Sequence, residues 1–176
     1  MITLKRIISS DDPGYQYMES MLTACFPPDE YRPLDELRNY TSHKSHFYNN
    51  VILEENNPIG FITYWTLNQF YYIEHFAIDS AQRNAGYGKR VIQHTINLFQ
   101  CPIVLEVERP KDAIAQRRIN FYKRQGFILW KNSYRQPAYQ PGGKSVPMML
   151  MVYGELNTKT DFKRIKEQLY KEIYKM

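Results

Sequence analysis

The stretch Gln82-Arg83-Asn84-Ala85-Gly86-Tyr87-Gly88-Lys89 is the part of this sequence best suited to chemistry on an anion. Small residues let a backbone turn tightly and aim several N–H groups at one point. The apolar positions 91, 92, 95, 96 and 99 that follow have the spacing of an amphipathic helix. The start of such a helix adds a positive dipole end of roughly half a charge. Spacing excludes two common phosphate loops. A dinucleotide fingerprint needs a third glycine where Val91 stands. A Walker loop needs four residues between its glycines and Ser or Thr after its lysine, where Arg90 follows Lys89.

Charge is consistent with that reading. Net charge is +5, yet residues 83 to 124 alone hold nine Lys or Arg against Glu106, Glu108 and Asp112. Such a segment suits a polyanionic ligand and equally a solvated face. Nucleic acid is not expected as a partner, because there is no zinc-finger spacing, RNP motif or basic helix with a dimerising heptad. His43 and His46 lack a third ligand at suitable spacing, so no metal site is expected.

The elements that position this loop are legible in outline. Residues 2 to 8 read as a strand, 14 to 25 as a helix stopped by Pro27-Pro28, and Leu34, Leu37 and Tyr40 as part of a second helix. Residues 47 to 54 and 59 to 67 form strands around an Asn56-Asn57-Pro58 turn, and 70 to 78 is strongly β-prone. A helix over 88 to 99 follows, then a strand over 103 to 107 and a helix over 113 to 125, which Gly126 ends. Strands at 127 to 130 and 148 to 153 flank a Pro/Gly-rich loop over 136 to 147. The tail from Asp161 to Tyr174 is helical, with Thr158 and Asp161 resembling a capping box. Strand, loop, helix, strand and helix over 70 to 125 imply a parallel pair within a mixed sheet.

At 176 residues, 43% apolar and 15% aromatic, the chain has the length of about one domain with a real core. No apolar run reaches the roughly 18 to 20 residues of a membrane span. The N-terminus lacks an apolar signal region and a small-residue cleavage site. Two cysteines, Cys25 and Cys101, make no disulfide framework. The expectation is a soluble cytoplasmic protein without membrane or nucleic-acid partners.

Arg83-x-x-Gly86-x-Gly88, directly after a strand ending Ala77-Ile78-Asp79, resembles the GCN5-related N-acetyltransferase (GNAT) superfamily. Tyr122-x-x-x-Gly126-Phe127 resembles that family's last acetyl-CoA-contacting helix, and Phe26-Pro27-Pro28-x-Glu30-x-Arg32 the first-loop signature of a branch acting on small amines. Many members have glycine where Asn84 stands; asparagine tolerates positive φ, so the loop can still form. The resemblance implies a GNAT fold. That is an α/β chain with a central mixed, mostly antiparallel twisted sheet and a parallel pair at the acetyl-CoA site, flanked by helices. Residues 1–157 would form the acetyltransferase domain and 158–176 a C-terminal helix packed on it.

The same resemblance assigns roles. Acetyl-CoA is the acyl-donor cosubstrate, with its pyrophosphate held by Arg83, Asn84, Ala85, Gly86, Tyr87, Gly88 and Lys89 and its pantetheine along Phe76, Ala77 and Ile78. Tyr122 is the expected acid, since a phenol near 10 is within reach of a thiol near 8.5. Glu74 is the expected base. Alternation places it with Tyr72, Phe76 and Ile78 on one face, and some members carry their base at the matching position. The same carboxylate, costly in an aromatic strand, could instead be an ordinary salt bridge to Lys or Arg. Glu106, Glu108 or a water chain are the alternatives for the base. Glu30 could hold a cationic acceptor, and Tyr134 and Tyr139 line the far wall. The implied activity is acetyl transfer to a small-molecule or amino-acid-like primary amine by direct attack in a ternary complex. A protein N-terminal or lysine acetyltransferase and a non-catalytic acyl-CoA-binding module are the rival readings. Sheet edges and the tail helix leave room for a homodimer.

Overall fold

β-branched and aromatic residues dominate 47 to 78, and here they build consecutive antiparallel strands. β1 (Ile2–Ile7) pairs with β2 (Phe47–Glu54), β2 with β3 (Asn57–Leu67) and β3 with β4 (Phe70–Ile78). Three helices complete this part: α1 (Pro13–Cys25), α2 (Leu34–His43) and α3 (Tyr87–Phe99). Asp12 caps α1 by accepting from the Gly14 N–H at 2.7 Å. β3 is buried at every position from Ile59 to Trp65, so its alternation is hidden, as it must be where both sheet faces are covered. α1 rests on β2, β3 and β4, while α3 rests on β4 and β1.

The computed structural model describes all 176 residues and divides them into two units, Met1–Cys101 and Pro102–Met176. In the second unit β7 (Val146–Tyr153) lies between β5 (Ile103–Glu108) and β6 (Ile128–Gln136), antiparallel to both. Asp112 caps α4 (Ala113–Arg124) through the N–H groups of Ile114 and Ala115 at 2.9 and 2.8 Å. Gly126 leaves that helix at φ 91°, as its position foretold. α5 (Phe162–Glu172) packs on β6 through Phe162 against Trp130 and Tyr170 against Tyr134. The expected mixed α/β class with mostly antiparallel pairing is the class the chain adopts.

Local expectations needed four corrections. The β2–β3 turn is Glu55-Asn56, both at positive φ (50° and 70°), one residue earlier than expected. Two consecutive positive φ values suit the twist of a two-residue hairpin. Thr158 caps no helix: α5 starts at Phe162, four residues on, and the Thr158 hydroxyl donates to Asn132 Oδ1 at 2.6 Å. β6 runs on to Gln136, because a shift in pairing between Trp130 and Tyr134 lets the polar Lys131-Asn132-Ser133 bow out of register.

The fourth lies in β4. Tyr64 pairs with Ile73 and Thr63 with His75, leaving Glu74 as an extra residue. That bulge breaks strict alternation, so Tyr72 no longer lines up with Glu74, Phe76 and Ile78. The β3–β4 approach is also close at Gly60, where a Cβ would lie 2.3 Å from the Ala77 carbonyl oxygen and 3.1 Å from Ile78 Cα. Since backbone cannot swing aside, Gly60→Ala is expected to lower unfolding free energy by about 1–3 kcal/mol, read by urea denaturation. An unchanged midpoint would show that the two strands separate freely there.

Candidate active site

The Gly86 loop has the form its sequence implied. A turn of 3-10 helix over Ser80–Gln82 is capped by Asp79, which accepts from the Ala81 N–H at 2.9 Å. Asn84 and Gly86 then take positive φ, 67° and 77°, which bends the chain into the first turn of α3. No side chain caps α3, and a Cβ built on Gly86 would meet nothing within 4 Å. An uncapped N-terminus preceded by open space leaves backbone N–H groups without side-chain partners, an arrangement that suits an anion. Lys89 is exposed there. Two other cations are turned elsewhere: Arg83 Nε donates to the Ile78 carbonyl at 3.1 Å, and Arg90 pairs with Glu54 at 2.7 Å.

Glu74 is placed differently from a free base. Its side chain is 1% exposed and that of Arg32 2%, and the two form a buried ion pair. Trp65 Nε1 donates to the second carboxylate oxygen at 2.9 Å. Burial alone would raise the Glu74 carboxyl. The Arg32 charge, aided by donation from Trp65 and Arg32, instead holds it below the ordinary carboxylate range. The guanidinium lies among three rings, with Tyr40, Trp65 and Phe47 centroids at 4.5, 5.4 and 5.9 Å. Removing one partner of such a pair costs about 3–5 kcal/mol. The geometry therefore favours an anchoring part for Glu74, fastening the segment 26 to 33 to β4.

His75 fastens the same segment. Its Nε2 donates to the Glu30 carbonyl at 2.9 Å, and Thr63 Oγ1 lies 3.3 Å from Nδ1 while accepting from the His75 backbone N–H at 3.1 Å. These contacts fit a neutral ring protonated at Nε2. Burial lowers its proton affinity, and Glu74 and the Glu30 carbonyl only partly offset that. Phe26 stacks edge-on against His75 at 4.9 Å. Glu30, half-buried at the end of the 3-10 turn Pro28–Glu30, is thus fixed through its backbone.

In the second unit Tyr122 lies in the last turn of α4, buried, with its ring edge-on to Phe121 and Phe127. Burial pushes its hydroxyl up to about 12, with Arg118 pulling weakly the other way. Glu106 and Glu108 share a face of β5, with Leu150 and Met148 as cross-strand partners. Glu108 pairs with Arg118 at 3.3 Å on the exposed rim. Glu106 instead accepts from the Tyr134 hydroxyl, and from Tyr174, whose hydroxyl is 3.0 Å from both carboxylate oxygens. Tyr139 packs against Tyr174 at 5.1 Å.

Sequence reasoning quoted Arg32 only inside a motif and passed over Trp65, His75, Gln136 and Tyr174. Arg32 was findable: a strand carboxylate that must be buried requires a cation, and the first loop offers one. Nothing local in the sequence marks Tyr174, which reaches Glu106 across 68 residues.

The profile of the acetyltransferase (GNAT) family matches residues 15–127. A Bacteroides thetaiotaomicron protein assigned to the GNAT acetyltransferases is 48% identical, with TM-score 0.96 over 99% of both chains. The Escherichia coli ribosomal-protein-S18-alanine N-acetyltransferase is 18% identical, with TM-score 0.59 over 87% of this chain and 93% of that one. A spermidine N-acetyltransferase chimera drawn in part from Vibrio cholerae is 15% identical, with TM-score 0.61 over 86% and 94%. These last two share the fold. No curated protein sequence matches. No helix is long and apolar enough to cross a membrane.

The buried pair and ring make stability depend on pH. His75 and Glu74 both have folded-state pKa values below their ordinary 6.5 and 4.5, so the unfolded chain binds more protons beneath those values. Their stabilisation is complete above about pH 6.5 and is lost as pH falls, first through His75 and then through Glu74. Thermal unfolding from pH 8 to 5 is expected to show Tm falling below pH 6.5, with a shallower fall in His75→Gln. Equal slopes in the two proteins would remove His75 as the cause.

Proposed function

The chain belongs to the GNAT acetyltransferase family and is an N-acetyltransferase. On that premise we propose that it moves the acetyl group of acetyl-CoA to the primary amine of a small-molecule or amino-acid-like acceptor, by direct attack in a ternary complex. The observation that carries the donor half is the Gly86 loop: an uncapped helix start, two positive-φ residues and open space before them. These residues fit a pyrophosphate. Arg83 to Lys89 would hold it through backbone N–H groups, with Lys89 adding charge, and Phe76, Ala77 and Ile78 would run beside the pantetheine. Acetyl-CoA supplies an activated thioester carbonyl and a thiol leaving group.

The chain's own groups divide the remaining work. Tyr122 enters this reading as the proton donor near the sulfur. With its hydroxyl raised to about 12 it stays protonated across the physiological range. A phenol that weak transfers a proton to a free thiolate near 8.5 uphill, so it serves chiefly by donating a hydrogen bond as sulfur gains charge. Glu74 is better suited to holding the 26–33 segment than to taking a proton, because both its oxygens are engaged and its charged form is favoured. The base part then passes to Glu106 or to water. Glu30, Tyr134 and Tyr139 are assigned to the acceptor. Support for a small acceptor comes from the first segment, pinned by Arg32 and by the Glu30 carbonyl, and the cytoplasm is the compartment this reading implies.

Two outcomes test it. In calorimetric titration the wild type is expected to bind acetyl-CoA, and Gly86→Glu is expected to abolish binding while lowering Tm by only about 2–4 °C, the cost of a strained φ. That variant puts a carboxylate and a strained positive φ into the anion site alone; undiminished binding would relocate the cradle. Tyr122→Phe is expected to lower kcat about 10²-fold with acetyl-CoA affinity retained. Equal turnover in the variant would show that the hydroxyl takes no part.

A further inference from the structure

β6 pairs with β7 and with no other strand, so one row of its backbone N–H and C=O groups lies outside the ladder. α5 occupies the far end of that edge, where Tyr170 donates to the Arg135 carbonyl at 2.6 Å. No hydrogen bond beyond the β6–β7 pairing reaches the backbone of residues 128 to 132. Beside them an open groove of about 760 Å³ separates the start of β6 from the loop that leads into α5. Ile128, Leu129, Trp130 and Leu156 supply its apolar lining, and Ile128 is 63% exposed. The loop wall is fixed by its own bonds. Thr158 donates to Asn132 Oδ1 at 2.6 Å, the Asn157 N–H to Asp161 at 2.8 Å and the Lys159 N–H to Asn157 Oδ1 at 2.8 Å. A preformed apolar slot beside an open strand edge suits an extended peptide. Charge then selects among peptides. Lys131 and Lys159 line the groove, both exposed and neither in an ion pair, and no carboxylate lines it. Asp161, the acid closest in sequence to Lys159, is engaged by Arg164 at 2.9 Å. Asn132, whose oxygen receives Thr158, keeps its side-chain N–H groups without an acceptor in the chain.

We propose that this groove docks an extended acidic segment of a partner protein. The segment adds as a short strand along residues 128 to 130, lays an apolar side chain into the slot and sets its carboxylates on Lys131 and Lys159. A second copy of this chain suits the groove poorly. A symmetrical contact along the edge sets the lysines of one copy against those of the other, and like charges there repel. The lysines thus guard the edge against self-association and admit a strand of opposite charge. The inference uses none of the residues assigned to acetyl transfer and goes beyond that reading.

The test titrates the full chain with two blocked heptapeptides, one alternating glutamate with valine and one alternating lysine with valine, at low salt. Binding is read by fluorescence anisotropy and mapped by ¹⁵N-resolved NMR. The glutamate peptide is expected to bind at least about fivefold more tightly, because it makes ion pairs where the other meets like charge. Its shifts are expected at residues 128 to 132 and 156 to 159, and its advantage is expected to shrink as salt rises. Proline in place of its central valine is expected to weaken it severalfold by removing a ladder donor. The double variant Lys131→Glu, Lys159→Glu is expected to reverse the preference with Tm retained, since both side chains are exposed. Equal binding of the two peptides, shifts confined to other residues, or a preference surviving the charge reversal overturns the proposal. A wild type that dimerises in sedimentation, with Ile128→Glu restoring the monomer, overturns it in favour of a second copy.

Discussion

Burial of the Glu74 carboxylate is the constraint on which the first unit turns. A lone carboxylate withdrawn from water on a sheet face is unstable by several kcal/mol even after local relaxation, so its partner must be a cation with good geometry. Arg32 supplies it, and only by leaving solvent itself. That requirement draws the 26–33 segment down onto β4 and calls for an aromatic lining from α2, β2 and β3, in Tyr40, Phe47 and Trp65. A lysine could not substitute: its compact ammonium is more strongly hydrated and has no planar face to lay among rings. The β4 bulge belongs to the same solution, because the extra residue is the one whose carboxylate Arg32 and Trp65 receive.

The second unit meets a similar difficulty with a different result. Glu106 accepts hydrogen bonds from Tyr134 and Tyr174, and burial raises the Tyr134 phenol, which donates without adding charge. An Arg–Glu pair cancels to neutrality and serves as a fastener.

How much of this could be read in advance differs by feature. The helix at 87–99, its preceding loop and the Gly126 stop were legible, because each depends on local spacing and on residues that tolerate positive φ. Asn84 at φ 67° is the clearest case, since its departure from the family's glycine is accommodated as the residue type allows. The β4 and β6 bulges were not legible. A bulge is a property of two strands together, and a single strand's alternation carries no sign of where its partner will slip. Glu74 and Tyr122 were found as residues. A salt bridge to Lys or Arg was among the readings of Glu74 and is what forms, but the burial that decides whether a carboxylate anchors or accepts, and how firmly a phenol holds its proton, was not legible.

By itself, then, the sequence determined the mixed α/β class, most element positions, the anion loop and the family to which these belong. All rest on short-range periodicity, turn chemistry and motif spacing. Tertiary structure alone decided that Arg32 would reach Glu74 across 42 residues and Tyr174 reach Glu106 across 68. Desolvation and hydrogen-bond partnership depend on what is brought close from far along the chain, and those two quantities set the protonation and the role of every buried group here.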